Sequence, residues 1–194
     1  MAKLEIIVAS TRPNRVGLKI GQWIESEVVA HGGFDEIELV DLAEVNLPFM
    51  NEPHHPRLGQ YVHQHTRDWS AKVAEADAFL FVMPEYNHGY NAELKNAIDY
   101  LHTEWHYKPV GLVSYGGVSA GTRAAQAITH VVTTLKMIPV VETVSIPFVQ
   151  QFLVNGKIVP NDVMKAAAKT MVDELVRVIE SLQSLRHATA ATVR

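Results

Sequence analysis

The sequence predicts an α/β fold in which five parallel strands, ordered 2-1-3-4-5, lie between two layers of helices. Short apolar runs rich in β-branched residues alternate five times with segments of helical spacing. That alternation buries a parallel sheet between helices. The chain has 194 residues, the size of one domain of about 100–200 residues. It is 47% hydrophobic and 20% charged, the composition of a chain that buries a core.

Residues 4–9, Leu-Glu-Ile-Ile-Val-Ala, read as a buried strand followed by the polar loop 10–15. Val16, Ile20, Trp23, Ile24 and Val28 then recur at helical spacing and are closed by Gly32-Gly33. Residues 35–40 form the second strand, and a Pro/His-rich loop over 42–58 follows it. From 59 to 75 the pattern is helical but polar, with Val62, Trp69 and Val73 as its apolar points. Residues 78–83 are the most apolar strand, stopped by Pro84; Asn91 caps a helix whose face is Leu94, Ala97, Ile98 and Leu101. Residues 110–115 make the fourth strand, ending at Gly116-Gly117, and a helix over 120–136 carries Ala124, Ile128, Val131 and Leu135. A fifth strand over 139–146 leads into irregular chain to 160. The last helix presents Met164, Ala168, Met171, Leu175, Val178, Leu182 and Leu185, and residues 186–194 are expected to be a disordered tail. At about three heptads, this spacing predicts a helix packed on a sheet rather than a coiled coil.

Composition excludes several kinds of function. The net charge of −4 lacks the concentrated cationic surface that nucleic acid requires. With no cysteine there are no disulfides, no Cys-ligated zinc, no thiol nucleophile and no dithiol redox couple. No signal pattern opens the sequence, and no run of about 18 apolar residues predicts a membrane span. The expectation is therefore a soluble cytoplasmic protein. The 10 histidines include no His-Glu-x-x-His, and no metal site is expected. No G-x-S-x-G follows a strand, which removes the usual serine-hydrolase signature.

In open parallel sheets, ligands bind beyond the carboxyl ends of the strands, where the strand order reverses. The loops after strands one, three and four should therefore be read together. The first, Ser10-Thr11-Arg12-Pro13-Asn14-Arg15-Val16-Gly17, joins hydroxyls and guanidiniums to a helix N-terminus, a combination that suits a phosphate. It is neither a P-loop nor a G-x-G-x-x-G turn. The second, Pro84-Glu85-Tyr86-Asn87-His88-Gly89-Tyr90-Asn91, suits a planar ring with a polar rim. The third, Ser114-Tyr115-Gly116-Gly117-Val118-Ser119-Ala120-Gly121, lets backbone approach a flat ligand closely.

With these loops, and with Leu94-Lys95-Asn96-Ala97-Ile98-Asp99-Tyr100-Leu101 after the second, the chain resembles the NAD(P)H-dependent FMN reductases. This is a flavodoxin-like group that includes quinone, azo-dye and chromate reductases. The resemblance runs from residue 4 to about 148. It implies that Ser10, Arg12 and Arg15, with the amides of Val16 and Gly17, hold the FMN phosphate. Pro84, Glu85, Tyr86 and Asn87 would line the ring, chiefly through backbone groups, and Ser114, Tyr115, Gly116 and Gly117 would flank its other edge. Asn91 stands where many relatives have Pro, and Ala120 where Gly is common. NADPH or NADH is the implied electron donor and a small molecule the acceptor, the two binding in turn with ping-pong kinetics and no residue acting as acid or base. A homodimer or homotetramer is implied as well. The alternatives are a flavodoxin-like electron carrier and a flavin-binding regulatory protein.

Overall fold

All five expected strands form. In the computed structural model, which describes residues 2–192 and within them no side chains at 183, 184 and 186–192, β1 (Lys3–Val8), β2 (Glu36–Asp41), β3 (Ala78–Pro84), β4 (Pro109–Tyr115) and β5 (Ile138–Ile146) make one sheet. Its order is β2-β1-β3-β4-β5 and every pairing is parallel. β3 and β4 are buried along their whole length. That explains why they read as unbroken apolar runs rather than as alternating ones.

Helices cover both faces. Leu4, Ile6 and Val8 of β1 point into a core shared with α1 (Gly17–His31) and α6 (Asp162–Thr192). Ile7 and Ala9 point the other way, toward α3 (Gln64–Glu75), α4 (Ala92–Asp99) and α5 (Thr122–Thr134). On this second face Trp69, Phe79, Phe81 and Trp105 pack as one aromatic group, with the Trp105 ring centroid 5.0 Å from Phe79 and 6.2 Å from both Trp69 and Phe81. Their indole N–H groups are not stranded: Trp69 donates to Ala97 O (2.8 Å) and Trp105 to Ile98 O (3.1 Å). Full burial of each such ring stabilises the fold by about 1.5–3 kcal/mol. Trp23 lies on the opposite face, donating to Glu27 at 2.8 Å. Among the described residues no helix is long and apolar enough to cross a membrane.

The structure differs from the sequence reading in four places. The loop over 42–58 contains α2 (Leu42–Val45), started by Asp41, whose carboxylate accepts from Ala43 N–H at 3.0 Å. The helix expected from 59 begins at Gln64, because the Glu52 carboxylate accepts from the N–H groups of Val62 (2.8 Å) and His63 (3.0 Å) and ties that segment into a loop. Val62, expected on an apolar face, is 52% exposed. The irregular stretch to 160 holds a small antiparallel hairpin, β6 (Leu153–Val154) and β7 (Lys157–Ile158), turning through Asn155 (φ 49°) and Gly156 (φ 77°). Asn-Gly suits a turn that needs two left-handed residues. Finally, the tail expected from 186 continues α6 as helical backbone to Thr192, in keeping with its alanines at 188, 190 and 191; residues 193 and 194 lie outside the described residues.

Candidate functional site

The loops after the parallel strands meet at one edge of the sheet, and their backbones are unusual. Six of the nine non-glycine residues with positive φ among the described residues lie on them: Asn14 (58°), Asn46 (48°), Asn87 (50°), His88 (70°), Ala120 (54°) and Phe148 (44°). Left-handed backbone at residues with side chains costs about 1–3 kcal/mol each and persists where the surroundings enforce it.

The first loop leaves β1 with Ala9 N–H bonded to Val82 O at 2.9 Å, which carries Ser10 into the protein. Ser10 is fully buried, and its hydroxyl makes no hydrogen bond of good geometry among the described residues. Arg15 pairs with Asp41 at the end of β2 through Nη2, while its Nε is buried and has no partner among the described residues. Arg12 is exposed and sets its guanidinium 5.7 Å from the centroid of the Tyr86 ring, in cation–π range. α1 starts at Gly17 with no side-chain cap at Val16 and no acidic residue in its first turn. Its opening N–H groups and its positive dipole end therefore face outward. Gly17 is required here: a Cβ at this position would lie 2.2 Å from Ser10 Oγ and 2.6 Å from the Tyr115 hydroxyl.

The second loop is a tight turn. Tyr86 N–H donates to Gly89 O (2.9 Å) and Gly89 N–H returns a bond to Tyr86 O (3.0 Å), with Asn87 and His88 left-handed between them. This is the type I′ geometry of a two-residue hairpin. Glu85 N–H is taken by Tyr115 O at 3.0 Å, and the Glu85 carboxylate accepts from Arg123 Nη1 (2.7 Å) and Arg123 N–H (3.2 Å) at the start of α5. Burial pushes the Glu85 carboxyl up, but bonds from Arg123 and Ser119 outweigh it and hold it below the usual range. The resemblance places Pro84, Glu85, Tyr86 and Asn87 along the ring, chiefly through backbone groups, and the N–H groups of Glu85 and Tyr86 already have partners. Both are spent within the protein, and the turn tip at Asn87 and His88 is the part presented.

The third loop is likewise bonded within the protein. Ser114 is fully buried and its hydroxyl donates to Ala120 O at 3.0 Å, so it fastens the loop instead of facing a ligand. Gly116 N–H is bonded to Ile146 O (3.2 Å), and Gly117 O accepts from Ala120 and Phe148. A Cβ at Gly117 would meet nothing within 4 Å, so that position faces open space. Tyr115 is expected at the ring edge, but its buried phenol crosses to Ser10 and Gly17 on the first loop. Burial raises its pKa, while Ser10, Arg15 and Arg12 pull it back.

Asn91 is 2% exposed and donates to Ala9 O (2.7 Å) and to the Glu93 carboxylate (2.8 Å). Thr11 donates to the same carboxylate at 2.8 Å. Burial raises the Glu93 carboxyl, and the bonds from Asn91, its own amide and Thr11 more than reverse the shift. This network locks the first loop to α4, and the sequence offered no sign of it beyond Asn91 as a cap.

The structure thus brings Ser10, Arg15, Val16, Gly17 and Tyr115 together, with Arg12 and Tyr86 across the mouth. One cleft adjoins the first loop and a second lies between α4 and α5. The first, of about 500 Å³, runs from Thr11 past Leu42 and Pro48 to Glu93 and Asn96. The other, of about 720 Å³, is bounded by Met50, Ile98, Leu101, His102, Val131 and Leu135. Val131 and Leu135, expected in the core, are half-buried and line it. His102 and His106 meet edge to face with ring centroids 4.8 Å apart, and burial and neighbouring cations depress both. Among the described residues no three His, Asp or Glu side chains converge as a metal-binding group.

The family model for NADPH-dependent FMN reductase matches residues 2–151. Over 137 residues, 70% of this chain and 68% of the relative, the sequence is 42% identical to an NAD(P)H-dependent FMN reductase of Schizosaccharomyces pombe. It is 29% identical, over 64% of each chain, to an FMN-dependent NADPH-azoreductase of Staphylococcus saprophyticus. The fold matches that of the flavoenzyme NAD(P)H:(acceptor) oxidoreductase FerB from Paracoccus denitrificans with a TM-score of 0.74 at 20% identity, covering 93% of this chain and 98% of the other.

Proposed function

The chain belongs to the NADPH-dependent FMN reductase family, and on that premise we propose that it holds FMN across the three loops and carries two electrons from NADPH or NADH to a quinone, an azo compound, a free flavin or a similar acceptor. One observation supports this most: on the loop that opens α1, Arg15 Nε is buried without a partner among the described residues, and the buried Ser10 hydroxyl beside it meets only the Tyr115 phenol. Buried donors are normally satisfied. A phosphate at the helix start would accept from both and from the first amides. The residues present therefore fit FMN.

FMN, when bound, supplies the redox chemistry, accepting a hydride and passing on two electrons. The chain's own task is to bind and orient. Ser10, Arg12, Arg15 and the amides of Val16 and Gly17 hold the phosphate. The second-loop turn, from Pro84 through Glu85 and Tyr86 to Asn87, walls one edge of the ring, and the third loop, with Ser114 and Gly116 setting its course and Gly117 open, walls the other. No side chain here needs to move a proton. Without cysteine no protein thiol relays electrons, and a single site obliges donor and acceptor to bind in turn, giving ping-pong kinetics. A homodimer or homotetramer belongs to the same reading. Phe49, 84% exposed, and Met50 beside the larger cleft are apolar surface that a second copy would bury; light scattering measures the assembly.

The test is the absorbance spectrum of the purified protein with FMN before and after anaerobic NADPH. Bleaching of the flavin band is expected; a flavin that binds and stays oxidised leaves only a carrier or a regulatory protein. Arginine variants should separate by environment. Arg12→Ala, at an exposed side chain, is expected to raise the FMN Kd by a factor of about 3 to 10. Arg15→Ala should cost more, about tenfold or greater, because it also strands Asp41, whose side chain is 6% exposed. Fluorescence titration measures both, and the reverse order would remove Arg15 from the phosphate site.

A further inference from the structure

We infer that the acceptor favoured by this site carries a hydrocarbon substituent beside its redox ring, and that Phe148, with Val118, forms the apolar lip that receives it. The inference rests on the reading of the site as a flavin site. Of the six phenylalanines, Phe34, Phe79, Phe81 and Phe152 belong to, or pack against, one of the cores on the two faces of the sheet. Phe148 packs against neither among the described residues and is 51% exposed. Its backbone does not call for phenylalanine either. With φ at 44° it is left-handed, a conformation that suits Gly or Asn and strains an aromatic residue. Neither burial nor backbone accounts for a phenyl group here. A strained residue at the edge of a site points to a use outside the chain's own packing.

The chain on either side of Phe148 is fixed. Ile146 and Val149 are buried in the α1–α6 core. Phe148 N–H donates to Gly117 O (3.0 Å), its carbonyl accepts from Gln151 N–H (2.9 Å), and Val149 N–H donates to Gly116 O (3.3 Å). These bonds lace the exit of β5 to the third loop at Gly117, the position that faces open space. The next residue, Val118, is 78% exposed and also lies outside both cores. The charged pair at the start of α5, Glu85 and Arg123, is closed on itself at 2.7 Å. Single exposed apolar side chains are ordinary. Two of them beside the open position of a loop that walls a ligand site, one strained and both on bonded backbone, extend the apolar lining of that site. Because the backbone is already held, a ligand's hydrocarbon chain can pack there without ordering a loop.

The test is a homologous series of naphthoquinones bearing one alkyl chain, from methyl to pentyl. Each is reduced by the FMN-loaded protein with NADPH, for wild type, Phe148→Asn and Val118→Ser. Complete burial of a methylene is worth about fourfold in kcat/KM. Against a half-exposed phenyl group about half of that free energy is expected, so wild-type kcat/KM should rise about twofold per methylene. Phe148→Asn removes the ring and suits the left-handed backbone, so its Tm should equal or exceed that of wild type. Its gain should fall below about 1.3-fold per methylene, with Val118→Ser in between. A loss of folded protein lowers every kcat/KM in the series alike and leaves the dependence on chain length untouched. A dependence that Phe148→Asn does not change overturns the inference. A wild type indifferent to chain length overturns it as well, and in both cases bleaching of the flavin by NADPH leaves the flavin reading standing. A wild type whose flavin stays oxidised under NADPH overturns the reductase reading and the inference together.

Discussion

Glu5→Gln is expected to stabilise the protein by about 3 kcal/mol at pH 8 and by little at pH 4. Glu5 lies mid-strand in β1, paired in register with Glu38 of β2 and Phe79 of β3, and is fully buried. Neither carboxyl oxygen has a hydrogen-bond partner among the described residues. Burial pushes its pKa up to about 7, the charge of Glu38 adds to the rise, and Lys3, Lys72 and Lys108 oppose it. In the unfolded chain the group titrates near its ordinary value of about 4.3. Below that value both states are protonated and the site costs nothing in charge. Between about 4.3 and 7 the unfolded state loses its proton first, so stability falls as pH rises through the folded pKa. Above 7 the folded protein carries a buried carboxylate, and an amide of the same shape removes that cost. Urea unfolding of both proteins at pH 4 and pH 8 measures the difference. A gain equal at the two pH values would show that Glu5 titrates alike in the folded and unfolded states, so that its pKa is not raised by the fold.

Gly121→Ala is expected to lower stability by about 3 kcal/mol or more, a fall of roughly 6–12 °C in Tm for a chain of this size. Gly121 has φ +80°, and a Cβ there would lie 2.6 Å from Tyr115 N and 2.7 Å from Ser114 Cβ. Atoms so close to the backbone of a buried central strand have nowhere to move. Because Ser114 holds Ala120 O across this contact, the third loop would shift as one piece and take the Tyr115 phenol with it. Flavin affinity should fall along with stability. Gly117→Ala is the control: with nothing within 4 Å of its Cβ position, it should change Tm by no more than about 2 °C. Calorimetry on the two variants measures the contrast, and equal losses would contradict the close approach at Gly121.

The strands were legible because a strand buried on both faces must be apolar throughout, and residues 78–83 and 110–115 meet that demand without a break. That the three candidate loops gather at one edge of the sheet followed from topology alone. What the chain order concealed was the partner of each polar side chain. Arg15 finds Asp41, 26 residues on, only because β1 and β2 are neighbours that end side by side. Loop motifs name residues but not the direction in which they point. Glu85 and Ser114 look like ligand contacts in sequence, yet they bond to Arg123 and Ala120. Tyr115, assigned to the ring edge, turns toward the first loop because strand side chains alternate, and Val113 and Tyr115 fall on the α1 side. Val62 had the spacing of a helical face but sits where Glu52 claims the backbone. One signal was present and overlooked: Asn155-Gly156 between short apolar pairs marks the β6–β7 hairpin.

The placement of the tryptophans gives the protein two built-in optical probes of its unfolding. Trp69 and Trp105 share the aromatic group on one side of the sheet, and Trp23 stands alone on the other beside Glu27. Quenching or replacing the pair leaves emission that reports the α1–α6 layer; replacing Trp23 leaves emission that reports the α3–α5 layer. If the five strands bind both layers into one cooperative unit, the two signals will move at the same denaturant concentration. If the layers come apart in turn, the two colours will separate, and the order of separation will show which side of the sheet releases the loops first.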